Sequence, residues 1–152
     1  MIELVFKKGN IFDSNCEALV NPVNTQGVAG KGLALEFKHR FPHNHAIYKA
    51  HCTSVKKMQI GSLTSCMDCG RVIINFPTKK QWRYNSSLEY IYQGLLALPG
   101  AIKNWKLRSI AIPALGCGEG RLPWIDVKDL IVSEVKNWEF EDLLIEVYEP
   151  TK

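Results

Sequence analysis

Arg108-Ser109-Ile110-Ala111-Ile112-Pro113-Ala114-Leu115-Gly116-Cys117-Gly118-Glu119-Gly120 is the stretch that decides the fold. Arg108 to Pro113 is apolar at its centre and reads as a buried strand. Gly116, Gly118 and Gly120 follow at once. Pro123 then suits the first turn of a helix, which the apolar spacing carries from Trp124 to Trp138. Strand, glycine loop and helix in succession form the unit of a parallel α/β sheet. An ordinary strand-to-helix turn needs no such alternation of glycines. Three glycines in five residues suit a cradle of backbone N–H groups for a diphosphate. Cys117 lies inside the loop with no base evident beside it, so a small packing residue fits it better than a nucleophile.

The same unit appears upstream. Ala18-Leu19-Val20 reads as a buried strand, and so does Leu4-Val5-Phe6, which runs into Lys8-Gly9-Asn10. Asn21-Pro22-Val23-Asn24-Thr25-Gln26-Gly27-Val28-Ala29-Gly30-Lys31-Gly32 follows the first of these. Leu33, Phe37 and Phe41 then recur every four residues, the spacing of a helix that Pro42 ends. A second helix is expected from about His43 to Ser54. Glycines let a backbone approach a ligand closely, and a helix start favours anions. Asparagine amides both donate to and accept from sugar hydroxyls. Gly30-Lys31-Gly32 does not fit the GxxxxGK[ST] phosphate loop.

Strands are expected at Ile60–Ser65 and Val72–Phe76, flanking a Cys66-Met67-Asp68-Cys69 turn, with Pro77 stopping the second. Asn85 or Ser86 is the expected N-cap of the next helix, and Pro99-Gly100 bends or ends it. Asp142 to Tyr148 is a final strand. The whole predicts a mostly parallel sheet covered on both faces, with ligands at the carboxyl ends of the strands. A third loop sits at such an end: Asn75-Phe76-Pro77-Thr78-Lys79-Lys80-Gln81-Trp82-Arg83-Tyr84. Cations interleaved with rings suit nucleic acid, because charges meet phosphates and rings stack on bases. Lys79 and Lys80 are adjacent. Like charges and partial burial both lower a lysine's pKa and raise its share of nucleophilic neutral amine.

With 152 residues, 46% hydrophobic and 22% charged, the chain has the make-up of one globular domain able to bury a core. Its net charge of +4 permits an anionic ligand. No apolar run is long enough for a membrane span, and the N-terminus lacks the pattern of a signal peptide, so the cytoplasm is the expected location. Five cysteines, an odd count, argue against a disulfide framework. Cys66 and Cys69 read as thiols in a turn rather than as half of a zinc site, because no second pair follows. The four histidines show no metal-ligand spacing. No metal and no cofactor is expected.

These segments together resemble the macrodomain family over essentially the whole chain. Val20-Asn21-Pro22-Val23-Asn24 is similar to the family's VNxxN loop, and Gly116-Cys117-Gly118 to its glycine-rich phosphate loop. Asn24 to Ala34, Phe76-Pro77-Thr78-Lys79 and Ile112 to Gly118 resemble the branch of DarG-type antitoxins. These are DNA ADP-ribosyl glycohydrolases that remove ADP-ribose placed on thymidine by a toxin. The resemblance implies a single macrodomain over residues 1–152, with a three-layer α/β/α fold around a central mixed, mostly parallel sheet. It implies Lys79 as the catalytic residue. It implies ADP-ribose contacts from Asn10, Ile11, Asn21, Asn24, Gly30, Lys31, Gly32, Thr78, Leu115, Gly116, Cys117, Gly118, Glu119 and Gly120. Lys80, Trp82 and Arg83 are the residues expected to hold DNA. The expected partners are ADP-ribosylated DNA and a DNA ADP-ribosyltransferase toxin, with the chain itself a monomer.

Two departures stand out. Gly9-Asn10 replaces the Gly-Asp that opens many macrodomains. Gly120 stands where protein-directed relatives place a catalytic aspartate, which favours DNA as substrate, although Glu119 is adjacent. A reader module that binds ADP-ribose without cleaving it, a protein ADP-ribosyl hydrolase and a phosphatase acting on ADP-ribose 1″-phosphate are the other activities the family offers. Lys79 could act as a neutral nucleophile or as a protonated group that polarises the leaving base.

Overall fold

Six strands form one sheet in the order β1-β6-β5-β2-β4-β3 in the computed structural model, which describes residues 1–151. They are β1 (Ile2–Lys7), β2 (Ala18–Asn24), β3 (Thr64–Asp68), β4 (Arg71–Lys79), β5 (Ser109–Ile112) and β6 (Leu143–Tyr148). Every neighbouring pair is parallel except β3 with β4. The helices are α1 (Gly32–Arg40), α2 (Pro42–Thr53), α3 (Leu88–Trp105) and α4 (Trp124–Val135).

Alternation along the strands assigns the two faces. Ala18, Val20, Ile74, Phe76, Ile110, Ile112 and Ile145 pack on one face with Leu95, Leu98 and Ile102 of α3 and Val127 and Ile131 of α4. Leu19, Ile73 and Ala111 pack on the other with Phe37 of α1 and Phe41. Val23 meets Tyr48 and Cys52 of α2 there. The expected three layers are therefore present. Among the described residues, no helix is long and apolar enough to cross a membrane.

Several expected boundaries move. β1 pairs only with β6, so it is a half-buried edge strand rather than a buried one. β3 begins at Thr64, not Ile60, and takes in Cys66, Met67 and Asp68. The reason is the turn. Cys69 and Gly70 both have positive φ (51° and 78°), which makes a two-residue hairpin loop with Asp68 opposite Arg71. The pairing then runs back from that point. β4 does not stop before Pro77. Val23 faces Pro77 but Asn24 faces Lys79, so the proline falls beside a register slip, where a missing N–H costs little.

Helix α3 is capped by Ser87, whose Oγ accepts from the Glu89 N–H at 3.2 Å, and not by Asn85 or Ser86. Ser86 is engaged elsewhere: its N–H donates to Gly120 O and its hydroxyl to Thr78 O. Pro99 does not end this helix. The buried stripe of Leu95, Leu98 and Ile102 holds it through the proline to Lys106, which caps it at φ 55° while Leu107 N–H reaches back to Ile102 O. Helix α4 stops at Val135, one turn short of Trp138. On β6 the fully buried alternation is Leu143, Ile145 and Val147, and Leu144 lies on the opposite face.

Candidate active site

β5, β2 and β4 are neighbours in the sheet, so the loops after them emerge side by side. They open into a cleft of about 1090 Å³. It reaches from Asn10, Ile11 and Tyr148 at one end, across Gly30–Gly32 and Gly116–Gly120, to Lys79, Trp82 and Arg83 at the other. Asn24, Thr78, Cys117 and Glu119 also line it.

Lys79 is the last residue of β4 and stands opposite Asn24, the last residue of β2. That register places its side chain between the two glycine loops. The residue is only 9% exposed. Its Nζ donates to Trp82 O at 2.9 Å and, at a long 3.5 Å, to Glu119 O. Burial is the main cause that holds its pKa below that of an ordinary lysine; Glu119 opposes this, and Arg121 and Lys31 add to it. The like-charge neighbours are thus Arg121 and Lys31, not Lys80 as adjacency suggested. The Lys80 ammonium lies 5.6 Å from the centroid of the Tyr90 ring on α3, and the residue does not line the cleft.

The second glycine loop is held from behind. Gly116 has φ +74°, and a Cβ there would lie 2.8 Å from Leu122 Cδ1. A Cβ on Gly120 would come within 2.5 Å of Gly116 O. A Cβ on Gly118 would meet nothing within 4 Å, so that position opens onto the cleft. The N–H groups of Gly118, Glu119 and Gly120 find no acceptor among the described residues. Across from them the first-turn residues of α1, Gly32, Leu33 and Ala34, line the same cleft at a helix N-terminus. The Glu119 side chain spans the gap: its Cγ is 3.7 Å from where a Cβ on Gly32 would be. Two sets of free N–H groups facing one space suit a diphosphate.

Asn24 does more than face the cleft. Its Oδ1 accepts from Gln26 N (3.0 Å), Val28 N (3.3 Å) and the Tyr48 hydroxyl (2.9 Å), and its Nδ2 donates to Val28 O at 2.8 Å. The residue builds its own loop and retains one amide hydrogen for a ligand. Asn10 Oδ1 accepts from Phe12 N–H at 2.9 Å and caps a short helical turn, Ile11–Asp13. Thr78 is buried, with its hydroxyl on Val23 O.

Two expected contacts lie outside the cleft. Asn21 is buried on the α2 side of the sheet, where its Nδ2 donates to Asn75 Oδ1, which also accepts from Asn44. Leu115 is fully buried, and its side chain belongs to the α3/α4 core. Conversely, Arg121 and Tyr148 line the cleft and were missed. Arg121 follows the glycine loop directly, with φ +63°, so reading that loop one residue further would have found it. Ser86, which ties Thr78 to Gly120, carries no signal in the sequence.

Cys117 is partly buried, and burial pushes its thiol up to about 11. That fits a packing residue and not a nucleophile. Cys69 is exposed in the hairpin turn, and the described residues hold no cluster of metal-ligating side chains.

Known proteins share this fold. The family profile described as Macro domain matches residues 20–131. A DNA ADP-ribosyl glycohydrolase of Thermus aquaticus is 44% identical over 98% of the chain, which spans 42% of that relative's length. The solved structure of the macrodomain of Thermus aquaticus DarG superposes with a TM-score of 0.90 at 43% identity, covering 99% of this chain and all of that one. Thermosipho africanus DarTG in complex with ADP-ribose gives 0.86 at 29% identity, over 97% of this chain and 42% of that one. The chain belongs to the macrodomain family.

Proposed function

We propose that the cleft binds ADP-ribose and that this chain is a DNA ADP-ribosyl glycohydrolase, removing ADP-ribose from thymidine in DNA as the antitoxin to a DarT-type toxin in the cytoplasm. The observation that carries this reading is the Lys79 amine, buried at the meeting of two glycine loops and free of any carboxylate within 4 Å. The identity to the Thermus aquaticus glycohydrolase supports it. So does the complex of Thermosipho africanus DarTG with ADP-ribose.

Adenine lies at the Asn10, Ile11 and Tyr148 end. The diphosphate takes the N–H groups of Gly118–Gly120 and of the start of α1, and the distal ribose sits between Asn24 and Lys79. Two carbonyls occupy two positions around Nζ, which leaves a third for the neutral amine's lone pair. That pair attacks the anomeric carbon as its bond to the base nitrogen breaks. The departing nitrogen leaves with the bonding pair and takes a proton from the alkylated amine. Water then hydrolyses the adduct and releases ADP-ribose and free Lys79. Positive charge builds on the ribose during the first step, as in other glycoside cleavages. A module that only reads ADP-ribose has no use for this amine. Incubating an ADP-ribosylated oligonucleotide with wild type and Lys79→Ala tests the reading. Release by wild type and none by the variant, with free ADP-ribose still bound, is expected. Undiminished release by the variant eliminates it.

A further inference from the structure

Lysine ends in a flexible four-carbon stem, so an amine that must meet one carbon atom needs something to fix it. The fixed acceptor here is the Trp82 carbonyl, 2.9 Å from Lys79 Nζ. Yet Trp82 sits in a loop whose residues, Lys80 to Asn85, are all exposed, Trp82 itself at 44%. Packing alone does not fix that carbonyl in place.

Two residues of the neighbouring loop do. Thr25 N–H donates to Lys79 O at 3.1 Å, and Thr25 Oγ1 donates to Lys80 O at 2.8 Å. Gln26 Oε1 accepts the Trp82 N–H at 3.0 Å. Gln26 is itself anchored, because its N–H donates to Asn24 Oδ1 at 3.0 Å. The three bonds run in step along residues 79, 80 and 82 and fold the chain back over the end of β4. The backbone of Trp82 is then held at both its polar groups, its N–H by Gln26 and its carbonyl by the Lys79 amine. Gln26 is exposed, so its side chain contributes through this bond and not through burial.

We propose that Thr25 and Gln26 form a clasp that positions the Lys79 amine through the Trp82 peptide, with Gln26 as the positioning residue. The inference rests on the reading of Lys79 as the reacting group. It adds that the loop carrying Trp82 and Arg83 and the reacting amine share one support. A DNA strand held on those two side chains is thereby registered against the amine.

The experiment compares Gln26→Leu, which keeps an extended side chain and loses the acceptor, with Gln26→Glu, which keeps an acceptor oxygen. Each is assayed in single turnover on ADP-ribosylated oligonucleotide across pH, beside wild type and Lys79→Ala. Free ADP-ribose affinity reports the fold of the cleft. Gln26→Leu is expected to bind ADP-ribose like wild type and to lose about tenfold or more in rate, in line with the cost of a misplaced reacting group. Its pH–rate midpoint should move upward, as a less buried amine titrates closer to an ordinary lysine. Gln26→Glu should recover most of the rate at alkaline pH. Wild-type rate and pH profile in Gln26→Leu, or equal impairment of both variants, would overturn the clasp. Full activity of Lys79→Ala would instead overturn the proposed function. The clasp is then decided by the titration of ¹³C-dimethylated Lys79 by NMR: a shift between wild type and Gln26→Leu upholds it, and coincident curves sink it.

Discussion

The ring of Phe76, on β4, fills the place where a side chain at Gly94 of α3 would stand: a Cβ built on Gly94 would lie 2.1 Å from Phe76 Cζ. Both residues are fully buried on the α3 face. Alanine in a helix gains up to about 1 kcal/mol over glycine, but overpacking a core costs about 1–3 kcal/mol or more. Contact this deep favours the larger cost, since the ring can retreat only by pushing β4, which carries Lys79 at its end. Gly94→Ala should lower stability by about 1–2 kcal/mol in urea unfolding. Adding Phe76→Leu should then cost less than it does in the wild-type background. A Gly94→Ala protein more stable than wild type contradicts this packing.

The glycines of the second loop should separate by function. A Cβ on Gly120 meets Gly116 O at 2.5 Å and Ser86 Cβ at 2.8 Å, so Gly120→Ala should destabilise the fold. A Cβ on Gly118 meets nothing in the protein and projects into the space assigned to the diphosphate. Gly118→Ala should melt like wild type and bind ADP-ribose at least about tenfold more weakly, a loss of ~1.4 kcal/mol. Thermal melts and calorimetric titration together check the pair. Wild-type affinity in Gly118→Ala would move the diphosphate elsewhere.

What the sequence made legible, and what it hid, follows from locality. The loops after β2 and β5 were readable because glycine spacing, strand and helix start are all local signals. The passage of β4 through Pro77 and of α3 through Pro99 was not, because neighbouring strands and a buried stripe override the local preference. Asn21 shares a motif with Asn24, yet strand alternation turns it under α2 and away from the cleft. Lys80 follows Lys79 in sequence but lies just past the end of β4, with its ammonium near the Tyr90 ring. The Thr25–Gln26 clasp joins segments 55 residues apart at Thr25 and Lys80, and Ser86 ties Thr78 to Gly120, pairings for which a sequence holds no signal.

Lys79 should also reveal a cost of function. Its folded-state pKa lies below the ordinary 10.5, with burial the first cause. Between the two values the unfolded chain binds more protons, so stability rises with pH through that window and stays level, at its lower value, beneath it. At neutral pH the folded protein therefore carries a penalty for burying this amine. Lys79→Met keeps the stem and removes the charge. It should melt above wild type at pH 7, with the gap narrowing as pH approaches 10.5, and release no ADP-ribose from DNA. A variant that melts below wild type at pH 7 would show that the two carbonyl contacts outweigh the burial.

Cys117 sits in the glycine loop after β5 but its thiol is pushed up to about 11 by burial, so almost none is thiolate at neutral pH. Cys117→Ala should keep turnover close to wild type. Iodoacetamide at pH 7.5 should leave the wild-type enzyme active even where the exposed Cys69 reacts. Loss of turnover in Cys117→Ala, with ADP-ribose binding intact, would return the thiol to the chemistry.

The loop after β4 should read DNA through Trp82 and Arg83 alone. The Arg83 guanidinium stacks 5.1 Å from the centroid of the Trp82 ring, and both line the cleft, with Trp82 44% exposed. A ring left that open beside a cation suits a base stacked on one and a phosphate met by the other. Each phosphate neutralised on a single strand contributes about 0.7 to the slope of log affinity against log salt. Arg83→Ala should flatten the slope for a modified oligonucleotide by about that amount. Lys80→Ala should leave it unchanged, because that ammonium is directed to Tyr90. Trp82→Ala should lose about 1–3 kcal/mol of oligonucleotide affinity while free ADP-ribose binds nearly as before. The Trp82 carbonyl belongs to the backbone and survives the substitution, so the effect should fall on affinity more than on the single-turnover rate. Equal slopes for wild type and Arg83→Ala would mean that the strand leaves the cleft by another route.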